Sequence, residues 1–227
     1  MNLQQAMLER HSVRSYTDKP ITGEIKEKLT AFIEEQNRES GLHMQLITDE
    51  PKAFANIFCH YGLFRGVKNY IALVGPEEDE KKLKELCGYY GEKVVLYAQT
   101  IGLNTCWVMA TYKKVMDVID IKEGEKLLLV IAIGYGKNQG RQHRTKKPEK
   151  VSNVTANSPE WFKNGVSAVL NAPTAVNQQK FMFTLIDHPE GNKVRGSAPD
   201  GDCTYIDLGI AKYHFELGAG TENFQWE

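Results

Sequence analysis

Arg10-His11-Ser12-Val13-Arg14 places two guanidinium groups four residues apart with a hydroxyl between them, directly after a short helical stretch. That set suits a phosphate, because guanidinium groups donate in pairs to its oxygens while the hydroxyl and nearby backbone N–H groups add neutral donors. Solvated surfaces carry RxSxR runs too, so the pattern alone assigns nothing. A second basic run, Arg141 to Lys150, reads equally as an anion contact or as a solvated connection. The four cysteines, Cys59, Cys87, Cys106 and Cys203, form no CxxC pair and have no histidine at zinc-ligand spacing. No metal is expected, and the thiols read as free, Cys106 as a small buried residue rather than a redox thiol. His43, His60, His143, His188 and His214 have no ligand-like neighbours in sequence and read as ordinary.

Periodicity supplies the elements that must position these residues. Asn2 to Glu9 reads as a short helix and Ile25 to Glu35 as an amphipathic one with Leu29, Phe32 and Ile33 on one face. Met44 to Ile47 is extended. Tyr70 to Val74 reads as a buried strand stopped by Gly75-Pro76, and Lys81 to Ile101 as a long core helix closed by Gly102. Leu127 to Ile133 is a continuous apolar run and the strongest strand signal. Residues 136–157 are polar and basic, a long surface connection. Beyond them lie a helix at Trp161 to Leu170, a strand at Phe181 to Ile186 and a helix at Asp207 to Leu217. This order echoes the first part of the chain, which suggests two related halves, 1–137 and 158–227, joined by 138–157.

The 227 residues are 41% apolar, with 28 basic and 29 acidic side chains interspersed for a formal charge of −1. A core of good size is available, and no clustered basic face points to nucleic acid. No apolar run reaches the length of a membrane helix, and the opening residues lack the regions of a signal peptide, so the expected location is the cytoplasm with no membrane partner.

Three motifs in fixed order resemble the FMN-dependent nitroreductase family. RHSVRSYTDKPI is similar to its amino-terminal signature, Gly102-Leu103-Asn104-Thr105-Cys106-Trp107 to its GLGTCW turn, and LLLVIAIGYG with RQHRTKKPEKV to the strand and basic tail that follow. The family's APSxxNxQPW loop usually follows the first helix, where this chain has Gln36 to Ser40. A matching loop, APTAVNQQ, stands instead at Ala172 to Gln179. The nearest resemblance is to a divergent subgroup of the family from anaerobic and thermophilic bacteria.

The resemblance implies an α+β nitroreductase-like fold: a mixed sheet flanked by helices, in two similar halves forming a pseudo-dimer. The family's homodimer places FMN between subunits, so one chain would carry both contributions in cis, as a monomer acting as a pseudo-dimer or as a homodimer. Arg10, Ser12 and Arg14 would hold the FMN phosphate with His11 beside them. Arg144 and Lys146 would complete the clamp, and Arg141 is a less well aligned candidate. Pro173, Thr174, Ala175 and Asn177 would lie against the isoalloxazine or ribityl chain, with Gln179 stabilising the loop. Trp107, Val108, Met109 and Ala110 match the segment at the flavin's redox edge, with Ala110 where the family has glycine. Lys180-Phe181 replaces the family's Pro-Trp. Arg65 and Tyr70 are further residues that could face the flavin.

The implied function is an FMN-dependent NAD(P)H oxidoreductase, a flavoprotein that takes hydride from NADH or NADPH and passes it in a ping-pong cycle to a small-molecule electron acceptor such as a nitroaromatic or quinone. No side chain is needed as a catalytic acid or base, since the flavin carries the chemistry. The alternatives are a related flavin enzyme on the same fold, a dehydrogenase or dehalogenase, and a non-catalytic flavin-binding protein.

Overall fold

A computed structural model describes residues 1–55, 64–186 and 191–227. Cys59, His60 and His188 lie outside the described residues. Two compact units divide the chain: Met1, Glu9–Leu83 and Val94–Gln142 make the first, and Asn2–Leu8, Lys84–Lys93 and His143–Glu227 the second. Each combines helix with sheet, so the fold class is α+β.

The first unit is built on β1 (Gln45–Ile47), β2 (Tyr70–Pro76), β3 (Asn104–Val108) and β4 (Glu125–Gly134), in the order β1-β2-β4-β3 and antiparallel throughout. The apolar runs of β2 and β4 are buried on both faces, which is why they read as continuous rather than alternating. Tyr70, Ala132 and Cys106 are in register across three strands, and with Val13, Tyr16, Phe54 and Phe64 they belong to one core cluster. Helix α2 (Gly23–Ser40) buries Leu29 and Ile33 and ends at Gly41, whose φ of 73° lets its N–H return to Asn37 O. Helix α3 (Glu80–Thr100) starts on the side chain of Asp79, which accepts from Lys82 N at 3.0 Å. In its last turns, within this unit, Tyr97 stacks on Phe32 with centroids 4.1 Å apart.

The second unit takes the middle turns of α3 and most of α1 (Leu3–Glu9), together with α4 (Glu160–Val169), α5 (Thr204–Ala219) and the sheet β5 (Met182–Ile186), β6 (Lys193–Ser197), β7 (Gln225–Trp226). Strands β5 and β6 are antiparallel and β6 and β7 parallel. Phe162, Phe183, Phe215, Phe224 and Trp226 interlock as its core, with Phe183 stacked on Phe215 at 5.1 Å. Helices α3 and α5 meet backbone to backbone: a Cβ on Gly209 would lie 2.1 Å from Glu85 O, and one on Gly88 2.1 Å from Ile206 O. Beside that contact Glu92 and His214 are fully buried, with Oε1 2.9 Å from Nε2 and the other ring nitrogen 3.3 Å from Ala168 O on α4.

The sequence pattern finds every helix of eight residues or more among the described residues, with charged end turns beyond the periodic core. Three strands escape it. Residues 104–108 read as a turn motif and form β3, while β6 is short and polar, and β7 is two residues held by an aromatic side chain. Helix, strand, strand, helix, strand recurs in both units, but β3 joins its sheet through β4 whereas β7 lies parallel on β6. Among the described residues no helix is long and apolar enough to cross a membrane.

Candidate functional site

In the first unit, residues 10–17 run as an extended segment fixed by backbone bonds. Val13 N donates to Thr105 O at 3.0 Å, with Ser12 bridging Thr105 in parallel, Arg65 N donates to Arg14 O at 2.8 Å, and Tyr16 N to Arg65 O at 2.9 Å. Val13 and Tyr16 point into the core, and the Tyr16 hydroxyl donates to Val13 O at 2.6 Å, while Arg14 between them is exposed and Arg10 is buried. Asn104 fastens the turn after β4 against this segment, accepting from Gly136 N at 3.1 Å and donating to Gln139 Oε1 at 3.0 Å. Gly140, at φ 72°, passes so close to His11 and Ser12 that a Cβ would lie 2.7 Å from the His11 Cβ.

Arg10, Ser12 and Arg14 stand at alternate positions of this segment, beside the buried Cys106 of β3. Burial pushes that thiol up, opposed by Arg14, by a hydrogen bond with Ser12 and by Arg10. Burial wins, so Cys106 stays protonated and is no nucleophile; two guanidinium groups and a hydroxyl at alternate positions of one short run are the donors that it neighbours. This donor set fits a phosphate dianion. Beyond Cys106, Trp107 is half-buried, Val108 buried, and Met109 and Ala110 open to solvent where β3 ends. Arg65 and Arg141 are exposed, and Tyr70 is buried in the core cluster.

In the second unit, the loop Ala172 to Gln179 is conformationally unusual. Val176, Asn177 and Gln179 have φ of 46°, 55° and 43°, a region disfavoured for residues other than glycine and most of all for a β-branched one. Val176 is also 97% exposed, while Ala172, Pro173 and Gln179 are buried, and Thr174 and Ala175 half-buried. Side chains impose this shape. Gln179 Nε2 donates to Arg144 O at 2.9 Å and to Asn177 Oδ1 at 2.8 Å, and Asn177 Nδ2 donates to Arg144 O at 2.9 Å. Lys146 N donates to Gln179 Oε1 at 2.9 Å and its ammonium to Gln179 O at 2.8 Å. Arg144 therefore meets the loop through its backbone carbonyl, its side chain being exposed, and Lys146 meets it through the ammonium.

Asp207, on the first turn of α5, holds the other side. It accepts from Ala175 N at 3.0 Å and from Gln178 Nε2 at 2.7 Å. Burial pushes its carboxyl up to about 6, against the pull of those two donors. The sequence reading passes over Asp207, though a lone acid in the apolar run YIDLGIA was a visible signal. Among the described residues no group of three or more His, Cys, Asp or Glu could hold a metal ion.

A family model described as "Putative TM nitroreductase" matches residues 2–219. The chain belongs to this nitroreductase family. That makes it an oxidoreductase by descent. Solved structures give it a nitroreductase-like fold. One from Thermotoga maritima, described as a putative nitroreductase, is 19% identical with a TM-score of 0.65, covering 96% of this chain and 83% of its own. One from Bacteroides thetaiotaomicron, described as a putative NADH dehydrogenase/NAD(P)H nitroreductase, is 19% identical with a TM-score of 0.51, covering 69% and 98%. A third, a putative nitroreductase in complex with FMN from Desulfovibrio desulfuricans, is 18% identical with a TM-score of 0.48, covering 70% and 98%. No curated protein matches the chain.

Proposed function

We propose that this family member is an FMN-dependent NAD(P)H oxidoreductase of nitroreductase type, reducing nitroaromatics, quinones or similar electron-poor acceptors. The pinning of the extended segment 10–14 by Val13 N to Thr105 O and Arg65 N to Arg14 O is the observation that carries the reading, because it holds Arg10, Ser12 and Arg14, a phosphate-binding donor set, in fixed backbone positions where the family signature lies. When bound, FMN stores the hydride between oxidation of NADH or NADPH and reduction of the acceptor.

The chain's own residues bind and orient. Arg10 and Arg14 neutralise the phosphate charge and Ser12 adds a neutral donor. Met109 and Ala110, open at the end of β3, leave an apolar approach for a flat acceptor. Loop 172–179, with its strained and pre-shaped backbone, is a second segment assigned to flavin contact. None of these residues is asked to transfer a proton. The reading includes a cytosolic location, a compartment in which Cys87, Cys106 and Cys203 remain free thiols.

An absorbance spectrum of the purified chain, incubated with FMN and gel-filtered, is the first test, followed by steady-state oxidation of NADH and NADPH. A yellow protein that oxidises both or either with a quinone or nitroaromatic acceptor supports the proposal. A yellow protein that oxidises neither is a flavin-binding module instead, and a colourless one that takes up no FMN overturns the cofactor as well.

A further inference from the structure

Loop 172–179 cannot keep its shape unaided. Three left-handed non-glycine residues within four positions are each unfavourable, and Val176 recovers nothing by burial because its side chain stands in solvent. Something must hold the turn, and the buried group best placed to do so is not among the residues that the family signature names.

Asp207 is 2% exposed. One carboxylate oxygen takes the Ala175 N–H, the first backbone donor of the turn, and the other takes the Gln178 amide. That amide is oriented from outside as well, since Nε2 also donates to Asp202 O at 3.1 Å. Two acceptors therefore fix Gln178 as a donor toward Asp207, and only an acceptor at both oxygens satisfies the arrangement. Cys203 and Asp202 are the titratable groups nearest on the preceding segment, with Lys84 of α3 facing Cys203. Burial makes the carboxylate expensive to keep, even in the first turn of α5 where a negative charge is otherwise favoured.

We propose that Asp207 is a positioning residue: it holds the strained turn 174–179 in the conformation that meets the flavin, at a cost to the stability of its own unit. The proposal rests on the assignment of this loop to flavin contact. It extends that assignment to a residue about thirty positions away that touches no cofactor.

Asp207→Asn separates the two possible roles. The asparagine keeps an acceptor for Ala175 N–H but turns an NH2 toward the Gln178 NH2, and it removes the buried charge. The full chain carrying Asp207→Asn should melt no lower than the parent while its FMN affinity falls roughly tenfold or more, the scale of a hydrogen bond to a charged group. Backbone amides 174–179 of the FMN-free protein should exchange with solvent faster by a similar factor. Gln178→Ala, which deletes the same bond from the other side, should repeat both effects in smaller measure. A melting temperature that drops in step with affinity would make Asp207 merely structural and overturn the proposal, as would unchanged exchange at 174–179. If the parent chain binds no FMN, the cofactor assignment falls by itself, and the exchange comparison still decides whether Asp207 holds the turn.

Discussion

The two units hold their chemistry-bearing segments in opposite ways. In the first, residues 12–16 are fixed by main-chain bonds to Thr105 and Arg65, so that their position does not depend on the side chains at 12 and 14. In the second, the turn 174–179 is fixed by side chains: Asp207 and Lys146 reach it from separate parts of the sequence, and its own Asn177 and Gln179 reach out to Arg144 O. Backbone pairing tolerates changes of side chain and stores little strain. Side-chain anchoring imposes an otherwise unfavourable backbone and fails one residue at a time. The difference teaches where each unit is vulnerable: the first in the proposed function of its arginines rather than in their placement, the second at its anchors.

The largest effect that could break this contrast lies in the second unit's core. Phe215 stacks on Phe183 and meets Phe162, Phe224 and Trp226, so Phe215→Ala should cost about 3–5 kcal/mol in urea unfolding. Ile131→Val in the aliphatic sheet of the first should cost only about 0.5–1.5 kcal/mol. A loss at Phe215→Ala below about 2 kcal/mol would show that Phe215 does not stand at the centre of that core.

Next comes pH. The Asp207 carboxyl stands raised to about 6 from 3.8 by burial, so the native chain binds this proton more tightly than the unfolded one. Its contribution to stability is fully present below about 3.8 and is lost as pH rises through 6, about 3 kcal/mol across the window. The difference in unfolding free energy between Asp207→Asn and the parent should therefore grow in the variant's favour from pH 4 to pH 7. A flat difference would mean that the carboxylate is not buried as described.

In the first unit, Arg14→Ala should weaken FMN binding by about 1.5–3 kcal/mol, the scale of a charge-assisted hydrogen bond. Arg195→Ala, which breaks only an exposed pair with Glu227, should leave FMN binding unchanged. Equal losses at both positions, measured by fluorescence titration, would remove the phosphate role from the arginine signature.

Smallest is the strain itself. Val176→Asn puts a residue that tolerates the left-handed region where a β-branched one now stands exposed, and should stabilise the chain by about 1 kcal/mol. A loss of stability would show that Val176 is not strained there.

The same contrast explains what was legible in the sequence. Arg10, Ser12 and Arg14 sit in one short run whose meaning depends on local order, and the structure fixes that run by its backbone. The long helices and β4 follow from apolar periodicity because their burial is continuous. Asp207 stayed hidden because its role depends on a partner 32 residues away, and no periodicity marks a carboxylate that accepts from a distant turn. Arg144 and Lys146 read as equivalent cations. The structure separates them, since one meets the loop through a carbonyl and the other through its ammonium. β7 was invisible since two residues cannot show a period.

Gly88 and Gly209 let α3 and α5 touch across more than a hundred residues of chain, and that contact constrains how the protein comes into being. On a ribosome, the segment Lys84–Lys93 emerges long before its partner helix does and must wait for it. The second unit thus cannot close until α5 has been made, and pairings of such sequence separation fold slowly. Cutting the gene after Gln142 should give not two small domains but one fragment missing its partner and another missing the strut on which its last helix rests.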